Sequence, residues 1–176
     1  MQTRMLSSSS TLVRIVSGGQ TGVDRGALDA ALRWGLPHGG WCPRGRLAED
    51  GTIPPFYQLM ETPEVEAAER TWCNVRDSDA TLIFTRGPLS GGTALTATFA
   101  LQERKPLFIF PLRSGARPSG SELHHLRGWL VRKHIHVLNI AGPRESQAPG
   151  IHQQVHDSLL AWFAMLAVEI SPQSSS

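Results

Sequence analysis

The chain has 176 residues, 40% hydrophobic and 18% charged, which supplies enough apolar side chains for one core of ordinary domain size. Seventeen basic against fifteen acidic residues leave a formal charge of +2, too weak a field to hold a protein on nucleic acid or an anionic membrane, which argues against both as main partners. Only two cysteines, Cys42 and Cys73, are present and they lie far apart, so neither a disulfide-built secreted scaffold nor a CxxC site is expected, and a reduced, cytoplasmic setting is. The longest apolar run, residues 159–168, is ten residues, about half a bilayer crossing, and no apolar signal core opens the chain. Lys105 and Lys133 are the only lysines; the other basic residues are arginines, whose planar fork suits phosphate and carboxylate, so a small anionic ligand is expected.

Residues 1–10 and 171–176 are serine-rich and read as disordered tails around a single domain spanning 11–170. Residues 12–16 form a β-branched run that ends at Ser17-Gly18-Gly19 and gives way to a helical pattern carrying Val23, Ala27 and Trp34 on one face. Thr21 and Asp24 have the spacing of a capping box, and Gly35 with Pro37 stops the helix. A strand over 36–41 leads into a loop over 42–51, long for a passive connection. A short strand over 57–61 follows. Thr62-Pro63 then opens a helix with Val65, Ala68, Trp72 and Val75 on its apolar face. Residues 80–85 read as a buried strand, and Ser90-Gly91-Gly92 leads to a helix capped by Thr93 and apolar nearly all round through Leu101. Further strands are predicted over 107–110 and 135–140, and further helices over 121–133 and 151–168. The last helix has an apolar face of Ile151, Val155, Leu159, Trp162 and Leu166, fit for core or for subunit contact.

Continuously apolar strands alternating with helices predict an α/β fold, a Rossmann-like three-layer sandwich with a mostly parallel sheet. In such sheets ligands lie beyond the carboxyl ends of the strands, which directs attention to the two glycine turns that leave the first and fourth predicted strands. Gly18, Gly19, Gln20, Thr21 and Gly22 form one; Ser90, Gly91, Gly92 and Thr93 form the other. A glycine turn feeding a helix offers unpaired N–H groups and the positive end of the dipole to an anion, although either turn alone also reads as a tight reversal. Neither fits GxGxxG or GxxxxGK[ST], which argues against a dinucleotide dehydrogenase and a P-loop NTPase.

Asp24 reads both as the residue that completes the cap and as a carboxylate for a ligand hydroxyl or ring nitrogen. Arg25 places a cation against the positive helix end, a position that an anionic ligand or a carboxylate partner would offset. Trp41, Arg44 and Arg46 sit in a loop that also holds Glu49 and Asp50, suited to an anion and an aromatic ring, or to a self-neutralised surface turn. Arg70 and Asn74 lie four apart on the second helix, off its apolar face. His152 and His156 have i, i+4 spacing without the glutamate of HExxH, the remaining histidines read as surface or partly buried residues, and no Ser, His and acid arrangement stands out.

These residues also carry a resemblance. IVSGGQTGVDRGALD over 15–29, GGWCPRGR over 39–46, AEDG over 48–51, Glu61-Thr62, Arg70 with Asn74 and Val75, Asp77-Ser78-Asp79 and Gly91-Gly92-Thr93 resemble the putative molybdenum carrier family. The family looks like a circularly permuted branch of the Rossmann-like lysine-decarboxylase-like superfamily. The resemblance implies a homo-oligomer that binds molybdenum cofactor or another phosphorylated nucleotide-like ligand. The superfamily's hydrolytic branch carries PGGxGTxxE; here the glutamate position is Thr96, which cannot act as a carboxylate base. The expectation is a binding protein for molybdenum cofactor, its phosphate on the glycine turns and arginines and its pterin against polar and aromatic loop residues, with no direct protein–metal site. The alternatives are a nucleoside-monophosphate phosphoribohydrolase using Asp24 and Arg70, and a sensor of a nucleotide derivative.

Overall fold

The computed structural model describes residues 12–168, and the tails expected at 1–10 and 171–176 lie outside them. Five strands, β1 (Arg14–Val16), β2 (His38–Gly39), β7 (Ala80–Thr85), β8 (Leu107–Pro111) and β9 (Val137–Ala141), make one sheet in the order β2-β1-β9-β7-β8. Every pairing in it is parallel. All six residues of β7 are buried, the behaviour of a parallel strand covered on both faces. Helices α1 (Val23–Trp34), α4 (Gly120–Arg132) and α5 (Ile151–Val168) pack together on one face, and α2 (Ala67–Arg76) packs with α3 (Gly91–Gln102) on the other, as right-handed crossovers require.

The main core lies under α1, α4 and α5. Trp162, Phe163, Ile151, Val155 and Leu159 are fully buried there, so the apolar face of the last helix belongs to the core and not to a subunit contact. The face covered by α2 and α3 is looser: α3 is apolar on all sides, yet Leu101 is 68% exposed and Ile109 on the neighbouring edge strand 45%.

Several boundaries differ from the sequence expectation, each for a local reason. The strand expected over 36–41 splits at Gly40, whose φ of 128° breaks the ladder; β2 stays in the main sheet, while β3 (Trp41–Cys42) pairs with β6 (Met60–Glu61). The loop over 42–51 is structured by a short 3-10 turn (Arg44–Arg46) and a hairpin of β4 (Leu47–Ala48) and β5 (Gly51–Thr52). Helix α2 begins at Ala67, not at Thr62-Pro63, because the Thr62 N–H donates to the Cys42 carbonyl and its hydroxyl to that of Glu64, which holds the segment against β3. Its buried side carries Thr71, Asn74 and Val75, while Val65 and Trp72 face outward. No capping box forms at Thr21; Gly22 precedes α1 and Ser90 precedes α3, and neither end has a side-chain cap.

One polar lock crosses the helical layer. Asp29 on α1 accepts from the Tyr57 hydroxyl at 2.7 Å and lies 2.7 Å from His152 Nε2 on α5. The hydrogen bond to Asp29 raises the His152 pKa above its ordinary 6.5 against the opposing effect of burial. Burial pushes the Asp29 carboxyl up, but the bonds from His152 and Tyr57 outweigh it and the net shift is downward. A raised histidine stabilises the fold below its unfolded pKa and loses that contribution as pH rises through the folded one; a lowered carboxyl loses its contribution as pH falls through its folded pKa. Stability against urea should therefore fall as pH rises from about 6 toward 8, and His152→Gln should flatten that slope; an unchanged slope would count against the lock.

Candidate functional site

The parallel order brings the carboxyl ends of β1, β9 and β7 side by side, and both glycine turns leave that rim on either side of Ala141-Gly142. A cleft of about 290 Å³ lies between them, with Gln20, Asp24 and Arg70 on one wall and Gly91, Gly92 and Thr96 on the other. It adjoins a smaller cleft of about 230 Å³ that reaches Gly18, with which it shares Gln20, Arg70 and Arg144.

The two turns are not equivalent. In the first, protein acceptors take the amides of two turn residues and of the first helical one: Gln20 N–H donates to Asp24 Oδ2 at 3.3 Å, Thr21 N–H to Gln20 Oε1 at 3.0 Å, and Val23 N–H to the Pro143 carbonyl at 3.2 Å, while the amides of Gly18, Gly19 and Gly22 make no hydrogen bond among the described residues. Gly22, with φ of 76°, packs so closely on the loop after β9 that a β-carbon would lie 2.5 Å from the Pro143 oxygen. In the second turn, Thr93 and Ala94 donate back to the Ser90 carbonyl, while the amides of Gly91 and Gly92 make no hydrogen bond among the described residues. Both glycines are exposed and have open space where a β-carbon would sit. The N-terminus of α3 is thus the open anion-ready end. Thr93, only 8% exposed, places in the first turn of that helix a hydroxyl that makes no hydrogen bond among the described residues, whereas Thr96 spends its hydroxyl on the Gly92 carbonyl at 2.8 Å.

Asp24 and Arg70, far apart in the chain, meet in the cleft at 3.1 Å. The Arg70 guanidinium lies on Gly18 so tightly that a β-carbon there would be 1.7 Å from Nη1. Burial drives the Asp24 pKa above its ordinary value despite the opposing charge of Arg70 and the Gln20 hydrogen bond. Arg70 Nε is buried and has no hydrogen-bond partner among the described residues.

Other expected site residues point elsewhere. Arg25 donates to the Gly19 carbonyl and, through both terminal nitrogens, to Asp50 at 2.5 and 2.8 Å, so its unfavourable place at the helix end is offset by a carboxylate and not by a ligand. The Thr21 hydroxyl binds Glu49, and Thr21 and Gly22 line a separate hollow with Arg25 and Glu145. Trp41 turns its Nε1 to Asp77, and Asn74 clamps the Trp41 backbone through both N–H and C=O, so neither supplies the aromatic or polar wall expected. Arg46 is fully committed: its guanidinium donates to the carbonyls of Ile53, Pro54, Tyr57 and Leu59 and staples that loop. Arg44 is exposed and away from the cleft. His152 and His156 pair with Asp29 and Asp157, and among the described residues no three His, Cys, Asp or Glu side chains stand together as metal ligands.

Sequence reasoning missed Arg144, in the loop that follows β9. It lines both clefts, and its exposed side chain makes no hydrogen bond or ion pair among the described residues. The signal for it was positional: Gly142-Pro143-Arg144 leaves a buried strand at the same rim as the two glycine turns. Arg46→Lys should lower stability by about 1–3 kcal/mol, because an ammonium cannot satisfy four converging carbonyls, whereas Arg44→Lys should be neutral; urea unfolding of both variants checks the contrast.

The chain matches the model of the circularly permutated YpsA SLOG family over residues 15–163. It is also similar to a crystal structure from Syntrophus aciditrophicus described as a putative molybdenum carrier protein, at 47% identity and a TM-score of 0.81, covering 87% of this chain and 95% of that one. No curated protein matches it. Among the described residues no helix is long and apolar enough to cross a membrane.

Proposed function

The chain belongs to the circularly permutated YpsA SLOG family, and from that membership and the geometry of the rim we propose that it binds a small phosphorylated ligand, with molybdenum cofactor the leading candidate. The observation that carries the reading is the open end of α3: the amides of Gly91 and Gly92, which make no hydrogen bond among the described residues, face a cleft that also holds Arg70 and the exposed Arg144. A phosphate there completes the helix end and neutralises arginine charge. The same chemistry suits an oxyanion or a nucleotide; the name of the Syntrophus relative is what favours a molybdenum-bearing guest. In this reading the metal comes inside its organic ligand, and the protein's own residues grip the phosphate.

Purified protein titrated with molybdenum cofactor should show saturable binding, and Arg144→Ala should weaken it about tenfold, the loss of one charge-assisted contact. Tight binding of ordinary nucleotides with none of the cofactor would reject the cofactor and keep the phosphate site.

A second reading has its own observation. Burial holds Asp24 closer to neutrality than an ordinary carboxyl, and Arg70 fixes it in the cleft, as a group that must deliver a proton requires. Hydrolysis of a nucleoside monophosphate would place water's hydroxyl on the ribose carbon and its proton on the departing base. Release of free base, abolished by Asp24→Asn, supports this reading; absence of turnover across the common nucleoside monophosphates removes it.

We also propose self-association through the loose face. Leu101, Ile109 and Trp72 stay exposed beside an all-round apolar α3, so native mass spectrometry should show more than one copy.

A further inference from the structure

Glu49 and Asp50 form the tip of the β4–β5 hairpin, both exposed, and the proposed phosphate grip uses neither. Asp50 is accounted for by Arg25. Glu49, although at the surface, spends both carboxylate oxygens on protein donors. Its Oε1 accepts from the Thr21 hydroxyl and, at 3.2 Å, from the Ser146 N–H, and its Oε2 accepts from the Ser146 hydroxyl at 2.5 Å. Its own N–H donates to Gln20 Oε1 at 2.9 Å. One residue thus ties the hairpin to the first glycine turn and to the loop after β9. The bonds from Ser146 and Thr21 hold its carboxyl below the ordinary value, so it is ionised and accepting at neutral pH.

Ser146 follows Arg144 by two residues, and the loop between them is pinned at each step. Glu145 N–H donates to the Thr21 hydroxyl at 3.2 Å, so Thr21 passes the hold of Glu49 on to the residue beside Arg144. Arg144 N–H donates to Gln147 Oε1 at 3.2 Å, within the same loop. The backbone on either side of Arg144 is fixed, while its side chain stands exposed at the rim of both clefts. Taking Glu49 away removes both acceptors of Ser146 and the anchor of Thr21, and the segment from 144 to 147 is then held chiefly by its own turn and by the Pro143 carbonyl.

Charge alone gives Glu49 the opposite effect. It lines the smaller cleft together with Arg70 and Arg144, and the Arg144 charge is felt at its carboxyl. A negative charge there repels an anionic guest, so its loss by itself would tighten anion binding. Electrostatics and positioning therefore predict opposite signs for the same substitution.

We infer that Glu49 is a positioning residue for Arg144: it latches the loop after β9 onto the first glycine turn and presents the arginine to the anion on a backbone already ordered. Ordering before binding spares the complex part of its entropy cost. This role rests on the phosphate reading above and adds to it the residue that prepares the grip.

The test titrates inorganic phosphate calorimetrically at one ionic strength. Glu49→Ala should weaken binding about fivefold, and Glu49→Gln, which keeps an acceptor oxygen for Ser146, should recover most of that loss. In an Arg144→Ala background, Glu49→Ala should change affinity by less than about twofold, because the residue it positions is gone. Amide hydrogen exchange supplies a readout free of ligand: Glu145 and Ser146 should exchange about tenfold faster in Glu49→Ala, with the core amides of α5 unchanged. Unchanged or tighter phosphate binding by Glu49→Ala, an equal loss in the Arg144→Ala background, or unchanged exchange at Glu145 and Ser146 overturns the latch and leaves the phosphate reading standing. No phosphate binding by the wild type overturns both.

Discussion

The site depends on the contact between the first glycine turn and the loop after β9. Val23 donates its amide to Pro143, and Gly22 lies against the same loop at a distance only a hydrogen can occupy. This contact occupies the positive end of α1 with a protein carbonyl. It also fixes the base of the segment that holds Arg144 and Gln147 at the rim. Loop closure on one side thus shapes the candidate site on the other, and the strand order β1-β9-β7 is what makes the contact available.

Much of the fold was legible because parallel strands buried on both faces leave long apolar runs: 80–85 and the closing helix lie where the sequence places them. The α/β class and the parallel sheet followed from the same periodicity. For the candidate site, the sequence reading reached the rim on which both glycine turns stand, since glycine turns at strand ends mark the rim of any such sheet. Individual arginines were not legible. Arg46 and Arg70 sit in equally polar surroundings in sequence, yet one staples four carbonyls and the other enters the cleft, because hydrogen-bond partners such as the Ile53 and Tyr57 carbonyls come from segments whose path local sequence does not specify. The outer face of α2 was misread for a related reason: Trp72 supplied apolar spacing, while the buried side is built from Thr71 and Asn74, whose polar groups find backbone partners.

The unequal fate of the two turns is the more general lesson. Both have Gly-Gly before a helix, but the first is followed by Gln20 and Asp24, side chains long enough and acidic enough to bond their own turn. The second is followed by Thr93, Ala94 and Leu95, which offer no such acceptor within reach. The Asp24 carboxylate reaches back to the Gln20 amide, whereas the Thr96 hydroxyl is spent on the Gly92 carbonyl and leaves the Gly91 and Gly92 amides without such a partner. In the proposed reading the acidic turn would seat Asp24 and Arg70 beside the guest and the apolar turn would hold the guest's charge. That arrangement would keep carboxylate and anion on separate helix ends, which avoids direct repulsion between them in a cleft of about 290 Å³.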